Sequence, residues 1–331
     1  MADELRIAIT GVGAISGLGA GIGPLVEALR AGHAPDADLL DADYAPEDFR
    51  ESPKTYMDPC SDHALAACWL AVRSADLGWE GAAHPGFDSE RMGASLGTAF
   101  GTVESMLNMT GRVQQKGLRF GSPMIFTHAF INAPAALIAI EYELQGPNMT
   151  HSLGDASGAA AIAYAMTMMR AGRADLMLVG GCEALADPIV AAMDVKADGL
   201  EARPTNGGRQ TADDATADGA TTLDVLGEGA AILVLETEAH ALARGAQPLA
   251  ELSGASMLAP CSDGAGERAL VAAGSERAQV IDAAGVCGHA FGASVALSAA
   301  CCAALAAEAD GPLAAVSADG SGAVVVERWR A

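Results

Sequence analysis

Residues 145–169 read QGPNMTHSLGDASGAAAIAYAMTMM, and the layout of the chain follows from this stretch. Gly146-Pro147-Asn148 is a turn, and Met149 to Leu153 leaves room for one short buried strand. From Ala156 onward the segment is Ala-rich and apolar on every face, the pattern of a helix buried all round. Between strand and helix, the Gly154-Asp155-Ala156-Ser157-Gly158 bend puts the side chain of residue 155 at the helix N-terminus. Backbone N–H groups and the helix dipole favour negative charge there. In an α/β protein this is a place for a nucleophile, a thiolate activated by the helix end. The residue found is Asp155, a poor acyl-transfer nucleophile but a good N-cap. Ser157 does not rescue a serine-elbow reading, because Asp155 rather than Gly stands two residues before it.

The totals narrow the field. A chain of 331 residues, 51% hydrophobic and only 4% aromatic, builds a large core from small side chains. Its net charge of −23 argues against nucleic acid or an anionic membrane surface as partner. The seven cysteines (60, 68, 182, 261, 287, 301 and 302) show no CxxC pairing, so they read as small buried hydrophobes in a reducing compartment. Met1-Ala2-Asp3-Glu4 is acidic and runs straight into a strand, so no signal peptide and a cytoplasmic location are expected. Ala290 to Ala307 is long and apolar, but Ala and Ser dominate, which fits a buried helix better than a membrane span. No metal site and no cofactor are expected.

Working outward, Leu5 to Thr10 alternates as a strand, and the glycine run Gly11 to Gly21 reads as a turn into a helix at Pro24 to Ala31. Gly11-x-Gly13 after a strand is the start of a dinucleotide loop. The third glycine is replaced by Ser16, and no acidic residue ends a second strand about twenty residues on, so the nucleotide reading fails. Ala34 to Pro59 is an acidic surface excursion, and Asp62 to Leu77 is a helix with one core face. Arg91 to Phe100 is a strand. The helix Thr102 to Val113 carries Val103, Met106, Met109 and Thr110 on its inner face, which from the residues alone are ordinary core positions. His128, within Ser122 to Leu144, reads as a hydrogen-bonded structural residue. Asp175 to Val179 is a strand of parallel type, Arg203 to Ala220 a polar mobile loop, and Leu226 to Glu236 another strand. Then follow a strand at Leu249 to Ser256, an acidic helical region at Gly266 to Ala284, and a closing strand pair within Ala315 to Glu327.

Taken together, these motifs resemble the β-ketoacyl synthases, the condensing enzymes of fatty-acid and polyketide assembly. The segments that carry the resemblance are the opening Thr10-Gly11 glycine run, Gly146-Pro147-Asn148 with the elbow, Arg170 to Ala184, Gly227-Glu228-Gly229 with its strand, and Gly288-His289-Ala-Phe-Gly-Ala293. The resemblance implies a thiolase-like α/β fold of two pseudo-symmetric βαβαβ halves layered α/β/α/β/α. The N-terminal half would span 1–240 and a shortened C-terminal half 241–331. Asp155 falls on the catalytic Cys, Ala284 on the supporting Lys and His289 on the surviving His. The other active-site His is missing, since none lies between His240 and His289. Ser317-Ala318-Asp319-Gly320 stands where the family has a Phe-containing gating loop.

Condensation needs a thiolate to carry the acyl chain and His side chains around the thioester, so the resemblance implies a retired site. It points to the chain-length factors, the inactive partner subunits of type II polyketide ketosynthases, with Asp155 unusual even among them. A subunit of this kind would pair with an active ketosynthase as a heterodimer and meet the acyl carrier protein mainly through that partner. It would bound the acyl tunnel with Phe100, Val103, Met106 and Thr110. The compact second half leans toward polyene-type systems. Asp155 and His289 are expected to form an ion pair joining two helix ends. The alternative is a decarboxylase or acyltransferase on the same scaffold, using those two residues.

Overall fold

The computed structural model describes residues 5–32, 39–79, 87–191, 193, 225–258, 265–275 and 277–330. In chain order the first elements are β1 (Ile7–Ser16), β2 (Gly19–Ala20), α1 (Ile22–Ala31), β3 (Leu39–Leu40), α2 (Pro59–Ser74), β4 (Met92–Gly97) and α3 (Val103–Lys116). Next come α4 (Pro123–His128), α5 (Ala133–Glu141), β5 (Asn148–His151), α6 (Ser157–Arg170), β6 (Leu176–Glu183), β7 (Leu226–Gly227), β8 (Gly229–Thr237) and α7 (Glu238–Ala243). The remainder is β9 (Ala250–Met257), α8 (Ala265–Ala272), β10 (Gln279–Val280), α9 (Ala284–Cys287), α10 (Ser294–Leu305), β11 (Leu313–Val316) and β12 (Gly322–Arg328).

β1 runs through most of the glycine run that reads as a turn, and the reason is steric. Cβ atoms added at Gly11 and Gly13 would fall 2.5 Å from the Ala71 carbonyl oxygen and 2.1 Å from that of Ala67, both on α2. The glycines let helix and strand close on each other. The turn itself shrinks to Gly17-Leu18, with Ser16 paired to Gly19.

Ten of these strands form one mixed sheet in the order β10-β11-β12-β9-β1-β8-β6-β4-β5, with β2 beside β1, and β3 pairs with β7 apart from it. β4, β5 and β6 are parallel, and β8 runs antiparallel to both β6 and β1. The middle of the sheet is narrow, since β1 meets β9 only through Ala8–Glu251 and Ile9–Ala250. Arg6 latches this seam. Its guanidinium donates to Glu238 at 2.6 Å and to Glu251 at 2.7 Å, and lies 4.2 Å from the Trp329 ring centroid.

Alternation along the strands sorts the layers. Leu176 and Leu178 of β6, with Ile232 and Val234 of β8, pack against α2 and α5. Met177, Val179, Leu233 and Leu235 face the opposite way, onto α6 and α10. Those two helices also cover β9, β11 and β12, while Ala269 of α8 and Ala273 just past its end pack on the far face of β11 and β12. The result is helix, sheet, helix, sheet, helix. The thiolase-like α/β class read from the sequence is the fold observed. α6 and α10 are largely buried because each lies between the two arms of the sheet, which is why their sequences are so rich in Ala and apolar residues.

Several boundaries and environments differ from the sequence reading. β5 is the sheet's edge rather than a buried strand: Met149 is 45% exposed and Leu153 49%. In the acidic 266–284 region only Ala265–Ala272 and Ala284–Cys287 are helical, and Gln279–Val280 is a strand on β11. The described part of the 34–59 excursion contains a buried carboxylate. Asp58 is 1% exposed and caps α2 by accepting from Cys60 N at 3.0 Å, while its other oxygen accepts from Ser105 N at 3.0 Å. Cysteines 60, 68, 182, 287, 301 and 302 are buried and free, as expected of small hydrophobes. Cys261 and the polar 203–220 loop lie outside the described residues. Among the described residues no helix is long and apolar enough to cross a membrane.

Candidate functional site

The C-terminal end of β5 enters the elbow, and the chain turns through Gly154 (φ +59°) into α6. Ser157 ties the bend. Its Oγ donates to the Gly154 carbonyl at 2.6 Å, accepts from Leu153 N at 2.9 Å and lies 3.2 Å from the Thr98 carbonyl. A fully buried hydroxyl committed in this way is no serine nucleophile. Asp155 is not the helix cap its position suggests. Ala156 occupies the N-cap and no side chain caps the helix. The Asp155 carboxylate turns instead to His289, whose Nε2 donates to Oδ1 at 2.9 Å.

His289 reaches this point from the far half of the chain. Its backbone is pinned to β7, with its N–H donating to the Val225 carbonyl at 2.8 Å and its C=O accepting from Gly227 N at 3.0 Å. The ring is nearly sealed, 3% exposed against 22% for Asp155. With the proton on Nε2, Nδ1 faces the Ser294 hydroxyl at 3.5 Å, and that hydroxyl accepts from Ala290 N. Phe291 stands edge-on to the imidazole at 4.6 Å, and Phe100 packs edge-on against Phe291 at 5.0 Å. Phe291 has φ +39°, a strained conformation for an aromatic residue. The expected pairing of Asp155 with His289 is present as a hydrogen bond. Ala284 is buried in α9, where its N–H bonds Asp282 and its methyl adds no functional group.

A second buried acid was not anticipated. Glu183 ends β6 with no exposed surface. Its carboxylate accepts from Thr98 Oγ1 at 3.0 Å, Ala99 N at 2.6 Å, Phe100 N at 3.1 Å, Gly101 N at 3.3 Å and Gly292 N at 3.3 Å. Burial pushes its pKa up to about 7, while the donated hydrogen bonds from Ala99, Phe100, Thr98 and Gly101 hold it down against that. Close approach here needs glycine: a Cβ on Gly181 would fall 2.5 Å from the Gly292 oxygen, and one on Gly292 2.6 Å from Ala99 N. The sequence did carry a signal, a lone acid closing an apolar strand at Gly180-Gly-Cys-Glu183, since buried acids are rare without a task.

The α3 positions are not core. Met106 is 50% exposed, Thr110 is exposed and Val103 is half-buried, while the helix buries Ser105 instead. Only Phe100 among the proposed gate residues is joined to the dyad, through Phe291. The exposed apolar surface continues over Leu118, Phe126, Phe130, Ile131 and Ile140 to Met149 on β5. His128 is not hydrogen-bonded as expected. Its ring stands edge-on to Tyr56 at 5.5 Å, its Nδ1 is buried without a partner, and burial lowers its pKa.

Residues 32–241 match the family of β-ketoacyl synthase N-terminal domains, so the chain belongs to the β-ketoacyl synthase family. It is 31% identical over 299 residues to the chloroplastic 3-oxoacyl-(acyl-carrier-protein) synthase I of Arabidopsis thaliana, covering 81% of this chain and 62% of that protein. It is 30% identical to a 3-oxoacyl-(acyl-carrier-protein) synthase 2 of Rhizobium meliloti, over 79% of this chain and 68% of that one. The chain thus spans about three fifths to two thirds of these relatives' length.

Among solved structures, a similar chain belongs to the AntDE:AntF complex, a type II PKS acyl-carrier protein with its ketosynthase bound to the hexaketide. It has a TM-score of 0.79 and 20% identity, over 98% of this chain and all of that one. Another belongs to the ishigamide ketosynthase/chain length factor, with a TM-score of 0.75 and 22% identity, over 99% of this chain and all of that one. At these identities the likeness speaks for the fold.

Proposed function

We propose that this chain is a non-catalytic ketosynthase-like subunit, a chain-length factor that pairs with an active ketosynthase in type II polyketide biosynthesis. The observation that carries the reading is Asp155, locked to His289 at 2.9 Å where the family holds its acyl-carrying sulfur. A carboxylate at this point cannot exchange onto an acyl thioester as a thiolate does, and its hydrogen bond uses the His289 nitrogen that would assist one.

The surface supports a partner subunit. β5 is an open sheet edge, and edges of this kind are covered in native assemblies. Beside it lies an exposed apolar face carried by α3, α4 and α5, of the kind that serves as an interaction surface. Phe100, Val103, Met106 and Thr110 would bound the partner's acyl tunnel, and the carrier protein would act through the partner. The halves 1–240 and 241–331 would correspond to the two units of a complete ketosynthase, the second of them shortened as in polyene-type systems.

Co-expression with the cognate ketosynthase is expected to give a 1:1 complex, with the single chain inactive and poorly soluble. A well-behaved homodimer with condensing activity would refute the reading. Met106→Ala or Val103→Ala in that complex is expected to lengthen the products, and an unchanged product spectrum counts against the tunnel role.

The partly open Asp155 carboxylate favours one alternative, a decarboxylase or acyltransferase using the Asp155–His289 pair. Asp155→Asn separates the two, because Asn keeps the shape and a hydrogen-bond acceptor but not the charge. Under the subunit reading the complex keeps its product titre. Under the alternative its activity collapses.

A further inference from the structure

We infer that Glu183 is the positioning residue of an aromatic wall, holding Phe100 and Phe291 against each other so that together they limit how far a growing acyl chain extends. This rests on the proposed pairing with an active ketosynthase and names the group that sets the boundary's position.

The five donors on Glu183 come from two separate loops. Oε1 takes Thr98 Oγ1, Phe100 N and Gly101 N, and Oε2 takes Ala99 N and Gly292 N. Four of these belong to the loop that carries Phe100, and the fifth follows Phe291 directly. One carboxylate therefore fixes the backbone beneath both rings, which meet at 5.0 Å. No cation takes part among its hydrogen-bond partners, unlike the buried Glu236, which has Arg244. A buried acid without a counter-ion is costly to keep, and what this one gains is the convergence of inward-pointing N–H groups. Only an acceptor-only side chain satisfies them all. The far side of the Phe100 loop has no slack either, because a Cβ on Gly101 would fall 2.7 Å from Ile131 Cγ1. The strained φ of Phe291 persists only because its surroundings over-determine it, and the Glu183–Gly292 bond is part of that restraint.

The substitution Glu183→Gln tests this. Its amide must present an NH₂ to one pair of N–H donors, which opens one side of the clamp. Glu183→Asp keeps the charge but is one methylene short. Phe291→Gly removes the ring and relieves the left-handed strain while leaving every donor to Glu183 in place. Each is made in the 1:1 complex with the cognate ketosynthase and supplied with malonyl-loaded carrier protein. Products are read by mass spectrometry beside the Met106→Ala complex.

Glu183→Gln and Phe291→Gly are expected to give longer and more mixed products, with Glu183→Asp between them and the native protein. If Glu183→Gln does not assemble, Glu183→Asp and Phe291→Gly carry the test. A native product spectrum from the Glu183 variants, where Met106→Ala shifts it, overturns the role of Glu183 and leaves the tunnel reading standing. A native spectrum from every variant overturns both.

Discussion

Arg244→Ala is expected to destabilise the protein by about 3 kcal/mol, the cost of leaving a buried carboxylate without its cation. Arg244 donates to both oxygens of Glu236, at 2.6 and 2.9 Å, and Glu236 has no exposed surface. Burial alone would raise the Glu236 pKa. Hydrogen bonds from Arg244, His240 and Thr10 outweigh it and hold the group at about 2, against an ordinary value of 4.5. Because the folded value lies below the unfolded one, the stabilisation is fully present above about pH 4.5. It is lost as pH falls through about 2, a difference of about 3 kcal/mol. In Arg244→Ala the carboxyl titrates higher, so acid unfolding should begin at a higher pH. The exposed pair Arg30–Glu308, with side chains 53% and 63% exposed, provides the control, since Arg30→Ala should cost at most about 1 kcal/mol. Urea midpoints measure both, and equal losses would mean that Glu236 does not depend on Arg244.

The second large effect is a gain. The native chain incubated with an acyl thioester is expected to show no covalent adduct by intact mass, and Asp155→Cys is expected to become acylated. The elbow still places residue 155 at the start of α6, with His289 Nε2 at hydrogen-bond distance from its side chain. Those are the two features that lower a thiol's pKa and make it nucleophilic. Relative to an unassisted cysteine, its thiolate fraction at neutral pH should rise roughly ten- to thirtyfold. Background is low because burial raises the native thiols, Cys301 to about 12 and Cys68, Cys287 and Cys302 higher still. The native protein, with the same seven cysteines, is the blank. An Asp155→Cys protein that stays unmodified would mean that the elbow does not hold residue 155 in a geometry that activates a thiol.

Much of this was legible in the chain. The all-apolar run Leu176 to Val179 announced a buried strand of parallel type, and the Ala-rich runs from Ala156 and Ala290 announced buried helices. Asp155 and His289 could be named as a pair because each sits at a recognisable bend before such a helix. Other features were not legible, for physical reasons that differ. A glycine that breaks a chain and one that admits a neighbouring helix look the same in sequence, so Gly11 and Gly13 read as a turn. An apolar helix face facing solvent looks like one facing a core, so Met106 and Thr110 read as interior.

Sequence by itself determined the pattern of strands and buried helices and the family, since these depend on local pattern and on residue identity at marked positions. Only the tertiary structure decided that Asp155 leaves its helix uncapped, that β5 is an open edge, and that Glu183 gathers five donors from two loops. Each depends on which groups from distant parts of the chain come within three to four ångströms of one another, and burial and hydrogen-bond competition settle that only when the layers close.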